Sequence, residues 1–129
     1  MNKTTQVLLC SLLLSIGISC SDDSVISHIN PKFESCDFDY DVPPYPIKIV
    51  LPTIPEGKED RHIEGNVTLR FYIDSEGYVF YVALVHTDLE RAFVEAAKHA
   101  AMNYEFIPAL KDGNPCCSKE NIAIGFRPR

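Results

Sequence analysis

The feature that most constrains this chain is the alternation that starts at residue 66. Val67, Leu69, Phe71 and Ile73 alternate with Asn66, Thr68, Arg70 and Tyr72. A strand turns successive side chains to opposite faces, so this period predicts one buried face and one solvated face. Asp74-Ser75-Glu76-Gly77 follows, and glycine tolerates the positive φ that tight reversals need. Residues 78–85 read as the returning strand of a β-hairpin. Its inward set, Val79, Val82 and Leu84, breaks strict alternation, which predicts a β-bulge near Phe80-Tyr81.

A helix pattern stands directly behind the hairpin. Thr87-Asp88-Leu89-Glu90 reads as a capping box. Leu89, Phe93, Ala96, Ala97, Ala100 and Tyr104 then form one apolar stripe, with Arg91, Glu95, Lys98 and His99 on the other side. The alanines let such a helix sit close to a sheet. Residues 106–109 carry the chain away, and Asp112-Gly113-Asn114-Pro115 is turn chemistry. Alternation resumes at Asn121, Ile122, Ala123, Ile124, Gly125 and Phe126, which predicts the last strand. Upstream, residues 55–61 suit a short helix, with Pro55 and Glu56 in its first turn. Residues 47–51 suit an edge strand or a packed extended piece. The fold class is α+β: a small antiparallel three-stranded sheet in the order β-β-α-β, with one main helix on one face. A sheet of this kind, covered on one side, is usually a binding module whose function lives on the uncovered edge.

The length, 129 residues, allows one domain, and part of the chain precedes it. Residues 1–19 have a lysine near the start, an apolar run and small residues at the end, as an export signal does. The run is shorter than the roughly 18 apolar residues that span a bilayer. Its end, Gly17-Ile18-Ser19-Cys20, supports two readings. Gly17 and Ser19 have the spacing that an ordinary signal peptidase accepts. Cys20 directly after the apolar run instead resembles a bacterial lipobox, from which Gly17 departs because leucine is usual there. That resemblance implies lipidation at Cys20, and the acidic Ser21-Asp22-Asp23 resembles the export tag of surface lipoproteins. Residues 20–44 read as an acidic flexible leader and residues 45–129 as the domain. Val42-Pro43-Pro44-Tyr45-Pro46 breaks regular structure between them.

Of five cysteines, Cys36, Cys116 and Cys117 remain once Cys10 and Cys20 are set aside. Outside the cytoplasm a set of three suggests one bridge and one leftover thiol, from Cys36 to Cys116 or to Cys117. Such a bridge closes a long loop, for which chain entropy gives roughly 4 to 5 kcal/mol.

The formal charge of −6 and the lack of any Lys/Arg cluster interleaved with aromatics argue against nucleic acid as a partner. His28, His62, His86 and His99 are scattered without ligand spacing. Asp74 and Glu76 belong to a turn and are not a matched acid/base pair, and no phosphate loop or nucleophile elbow is present. The expectation is a non-enzyme without metal or cofactor.

The order of these pieces resembles the C-terminal domain of the TonB family. The matching residues are Ile63-Glu64-Gly65, then Val67, Leu69 and Phe71, then Gly77-x-Val79. Phe93-x-x-Ala96-Ala97-x-x-Ala100, Tyr104-x-Phe106-x-Pro108-Ala109, Gly113-x-Pro115 and Ile122-x-Ile124-x-Phe126 continue the match. Ile54-Pro55 stands where the family usually has Tyr-Pro. The resemblance implies an envelope module of a Gram-negative bacterium, exported and facing the periplasm or the cell surface. Its partner would be a TonB-dependent outer-membrane transporter, or another envelope protein, taken up by strand addition on residues 121–126. A true energy transducer is implied to carry an inner-membrane helix and a long Pro-rich spacer. The leader from Cys20 to Pro43 would reach about 80 Å fully stretched, at roughly 3.3 to 3.6 Å per residue. The alternative is a structural or regulatory envelope lipoprotein that does not couple energy. A second copy of the domain, forming a homodimer, would also cover the edge.

Overall fold

The computed structural model describes residues 30–59 and 62–127. The export signal expected at residues 1–19, Cys20 and Ser21-Asp22-Asp23 lie outside the described residues. The chain divides into two compact units, residues 1–35 and 36–129. In the first, one helical turn, α1 (Lys32–Ser35), starts where the Asn30 side chain accepts the Lys32 amide at 3.1 Å. The second unit is the domain.

Its centre is β2 (Gly65–Ile73), where Val67, Leu69, Phe71 and Ile73 are fully buried. Burying such side chains is worth about 1.5 to 3 kcal/mol each. The reversal at residues 74–77 follows the sequence. The Gly77 amide donates to the Asp74 carbonyl at 3.0 Å, and the Asp74 carboxylate accepts the Glu76 and Tyr78 amides at 3.0 and 2.9 Å. Gly77 sits at φ 91. β3 (Val79–Thr87) returns antiparallel, and its register to β2 skips Phe80 and Val85. The first bulge is the expected one; the second, at Val85, is additional. Val79 and Val82 are buried, but Leu84, although paired with Leu69, is 46% exposed at the rim.

α2 (Arg91–Ala101) packs across this hairpin through Phe93, Val94, Ala97, Ala100 and Ala101. The capping box does not form. Glu90 is the N-cap, and its side chain makes no capping hydrogen bond. It pairs with Lys58 at 2.8 Å instead. The Thr87 hydroxyl is taken by β2, donating to the Asn66 carbonyl at 3.0 Å while accepting the Leu89 amide at 3.0 Å. The short helix expected at residues 55–61 is also replaced. The Lys58 amide donates to the Pro55 carbonyl at 3.1 Å around Gly57 at φ 79, a reversal that stops helix growth.

After α2 come β4 (Glu105–Ile107), β5 (Ala109–Lys111), β6 (Asn114–Cys116) and β7 (Ser118–Phe126). β5 and β6 form a hairpin across Asp112-Gly113, both at positive φ. β1 (Tyr45–Lys48) begins earlier than the expected extended piece and pairs with β4. Pro46 is tolerated there because β1 lies at an edge. The main sheet has the order β3-β2-β7, all antiparallel. The α+β architecture of three central strands under one main helix stands, with two small two-stranded ribbons added to it.

Candidate docking edge

The sheet has two outer edges, and they differ. The β3 edge is kinked by its two bulges, and its start is approached by β4 through an isolated Tyr78–Glu105 bridge and a Phe106 N–H to Gly77 carbonyl hydrogen bond of 2.9 Å. Bulges and partial cover are the usual means of making an edge unattractive to other strands. β7 pairs with β2 without a register shift, from Gly65 opposite Phe126 to Ile73 opposite Ser118. Among the described residues no strand lies on its other flank.

The residues expected from the sequence to form the docking edge, 121–126, all fall on β7, and the pleat sorts them. Ile124 and Phe126 are buried on the helix side, and Ile122 packs partly against the core beside them. Asn121, Ala123 and Gly125 face outward and are exposed. Gly125 lies opposite Asn66, and a Cβ there would come within 3.1 Å of the Asn66 side-chain oxygen. Arg70 and Asn121 are register partners on the outer face, joined by an Nε to Oδ1 hydrogen bond of 3.0 Å. The far end of the strand is held by Phe126, whose ring meets Phe93 of α2 edge-on at 5.0 Å. An added strand would therefore meet an apolar side near Ile122 and a small, polar side near Asn121 and Ala123.

The near end of β7 is held by a segment that sequence reading treated as solvated leader. Cys36 is bonded to Cys117, one residue ahead of the strand. Cys116 is the free thiol, donating to the Asp39 carbonyl at 3.7 Å. Burial, and then the carboxylates of Asp37, Asp39 and Asp41, push this thiol above its ordinary value and keep it protonated at neutral pH. Lys111 joins both Asp39 and Asp41, at 3.4 and 3.2 Å. The Asp41 carboxylate also accepts the Asp112 amide at 2.8 Å, which with Lys111 holds it below its ordinary value. Phe38 is one of the few apolar leader residues that the sequence makes able to dock, whereas Tyr40, Lys119 and Glu120 are not singled out from the sequence, which carries no periodic signal for them.

Among the described residues no helix is long and apolar enough to cross a membrane, and no group of three or more His, Cys, Asp or Glu is placed to hold a metal ion. The geometry is that of a small α+β domain whose central sheet has one unbulged edge strand, β7. The family described as Gram-negative bacterial TonB protein C-terminal matches residues 51–128, and the chain belongs to that family. The solution structure of the TonB C-terminal domain of Pseudomonas aeruginosa superposes with a TM-score of 0.51 at 22% identity, covering 69% of this chain and 92% of that one. That likeness extends to the fold. No curated protein matches the chain.

Proposed function

We propose that this domain is a non-enzymatic envelope binding module that takes an extended peptide segment of an outer-membrane transporter as an added strand on β7. In this reading the module is exported to the periplasmic or outer face of the cell envelope and held there by a lipid at Cys20. The observation that carries the reading is the unbulged edge of β7, open on one flank while the opposite edge of the sheet is twice kinked. Membership of the TonB C-terminal family supports a protein partner in a Gram-negative envelope. Main-chain hydrogen bonds would supply affinity, and alternate side chains would supply selectivity. An incoming segment with apolar residues on the Ile122 side and small or polar ones on the Asn121 side fits best.

The test is an NMR titration of residues 30–129 with synthetic peptides from the exposed N-terminal tails of the organism's outer-membrane transporters. Shifts concentrated on residues 120–126 are expected. Shifts confined to β3, or none with any peptide, would defeat the proposal and favour a scaffold role. The anchor is tested separately, by palmitate labelling of the full chain in cells and its loss in Cys20→Ala.

A further inference from the structure

The segment 36–42 does more than fasten the leader. Phe38 lies on the outer face, edge-on to Tyr72 at 5.6 Å and stacked with Phe80 at 6.5 Å, and the Lys119 ammonium sits 5.6 Å from its ring centre. Phe38 is at φ 55, a conformation costly for a bulky side chain and kept only where surrounding contacts over-determine it. Two residues on, the Tyr40 hydroxyl donates to the main-chain carbonyl of Lys119 at 2.9 Å. Burial, and then the nearby Glu120 carboxylate, raise the phenol above its ordinary value, so it remains a donor. Asp41 and Val42 then give their amides to the Leu110 carbonyl at 2.8 and 3.1 Å, and the Leu110 amide returns one to Val42 at 3.0 Å. The segment thus runs from the outer face of the sheet, past the first residues of β7, to β5. Both of its ends are tied, at Cys117 and at Leu110.

We infer that residues 36–42 form a stop that bounds the docking edge at Lys119, so that an added strand occupies residues 120–126 and its end is set by Tyr40. This rests on the strand-addition reading given above. The phenol, 2.9 Å from the Lys119 carbonyl, stands where an incoming strand would approach it, and the disulfide follows one residue ahead of the strand's start. Tyr40 is thereby a specificity-determining residue for the length and register of the bound segment. Without such a stop, an edge with continuous register allows slippage along the strand.

The experiment uses nested transporter-tail peptides of about five to eleven residues, each residue adding about 3.3 Å of strand. They are titrated into the oxidised wild type, Tyr40→Phe and Cys36→Ser. In the wild type, affinity should rise with length to about seven residues and then level, with NMR shifts ending at Glu120. In both variants longer peptides should gain several-fold, with shifts reaching Lys119 and Ser118. The same plateau in all three proteins would overturn the stop. Amide exchange without peptide separates this outcome from failure of the docking reading. Residues 39–42 and 119–120 should exchange at least tenfold faster in Cys36→Ser, with Ile122 and Ile124 unchanged. If no peptide binds, the docking reading fails and the inference goes with it. Faster exchange would then leave the segment as a clamp only.

Discussion

Replacing Gly77 by alanine should be among the most damaging changes available to this domain, and the structure says by how much. Two costs act together. At φ 91 a Cβ is in the left-handed region, worth about 1 to 2 kcal/mol. A Cβ on this residue would also run into the main-chain oxygen of Phe106, well inside van der Waals contact. The obstacle is backbone, so β4 must move away from the hairpin. That movement breaks the Phe106 N–H to Gly77 carbonyl bond, worth about 1 kcal/mol net. It also loosens Phe106, which is 3% exposed and packed against Phe71 at 6.1 Å. Partial loss of that burial adds about 1 to 2 kcal/mol. The sum is about 3 to 5 kcal/mol, against a typical domain stability of about 5 to 15 kcal/mol. Gly113 is the control: it sits at φ 81 with nothing within 4 Å of a built Cβ. Gly113→Ala should therefore show the conformational cost alone, about 1 to 2 kcal/mol. The chain has no tryptophan, so urea unfolding is followed by far-UV circular dichroism. Equal losses in the two variants would refute the argument that backbone crowding dominates at Gly77.

Other outcomes follow from the segment that crosses the start of β7. Reducing the Cys36–Cys117 bond, or Cys36→Ser, should lower the stability of residues 30–129 by about 4 to 5 kcal/mol in urea unfolding, since the bridge closes a separation of 81 residues. The Ser118 hydroxyl is buried without a hydrogen-bond partner, so Ser118→Ala should raise stability by about 1 kcal/mol in the same assay. Asp41 is held below its ordinary value of 3.8, first by the Asp112 amide and then by Lys111. A depressed folded-state value adds stability that is present above the unfolded value and lost as pH falls through the folded one. The Asp112 amide resonance should therefore titrate with a midpoint below 3.8, and a midpoint above it would contradict the hydrogen bond. Cys116 should alkylate slowly at neutral pH and faster as the pH rises, read by mass spectrometry; rapid neutral labelling would contradict its raised value.

The parts that could be read from the sequence are those where burial dictates residue type over a long enough stretch. β2 shows four apolar residues at alternate positions because one face is wholly covered. α2 shows its stripe for the same reason, and the end of β7 repeats the pattern at Ile122, Ile124 and Phe126. β4, β5 and β6 have only a few residues each, too short for a period to register. The Thr87-to-Glu90 pattern misled because Thr87 ends a strand and the helix starts only after Glu90, so the threonine oxygen accepts the Leu89 amide ahead of the helix and not one within its first turn. The acidic residues at positions 39 and 41 resemble a solvated leader, yet Lys111, 70 residues away from Asp41, gives both a partner that no local pattern announces. Cys116 and Cys117 were equivalent on paper, and tertiary geometry distinguishes them by placing Cys117 with its Cα 5.6 Å from that of Cys36.

The kinks at Phe80 and Val85 carry a consequence for assembly. A sheet that can be extended on both sides propagates: each newcomer presents a fresh border to the next, and fibres result. Here one border is spoiled by its two bulges, and only the other, β7, keeps continuous register. Were a sister chain to pair there in two-fold arrangement, the bulged borders of both copies would lie outermost and the assembly would close as a pair, with no growing end.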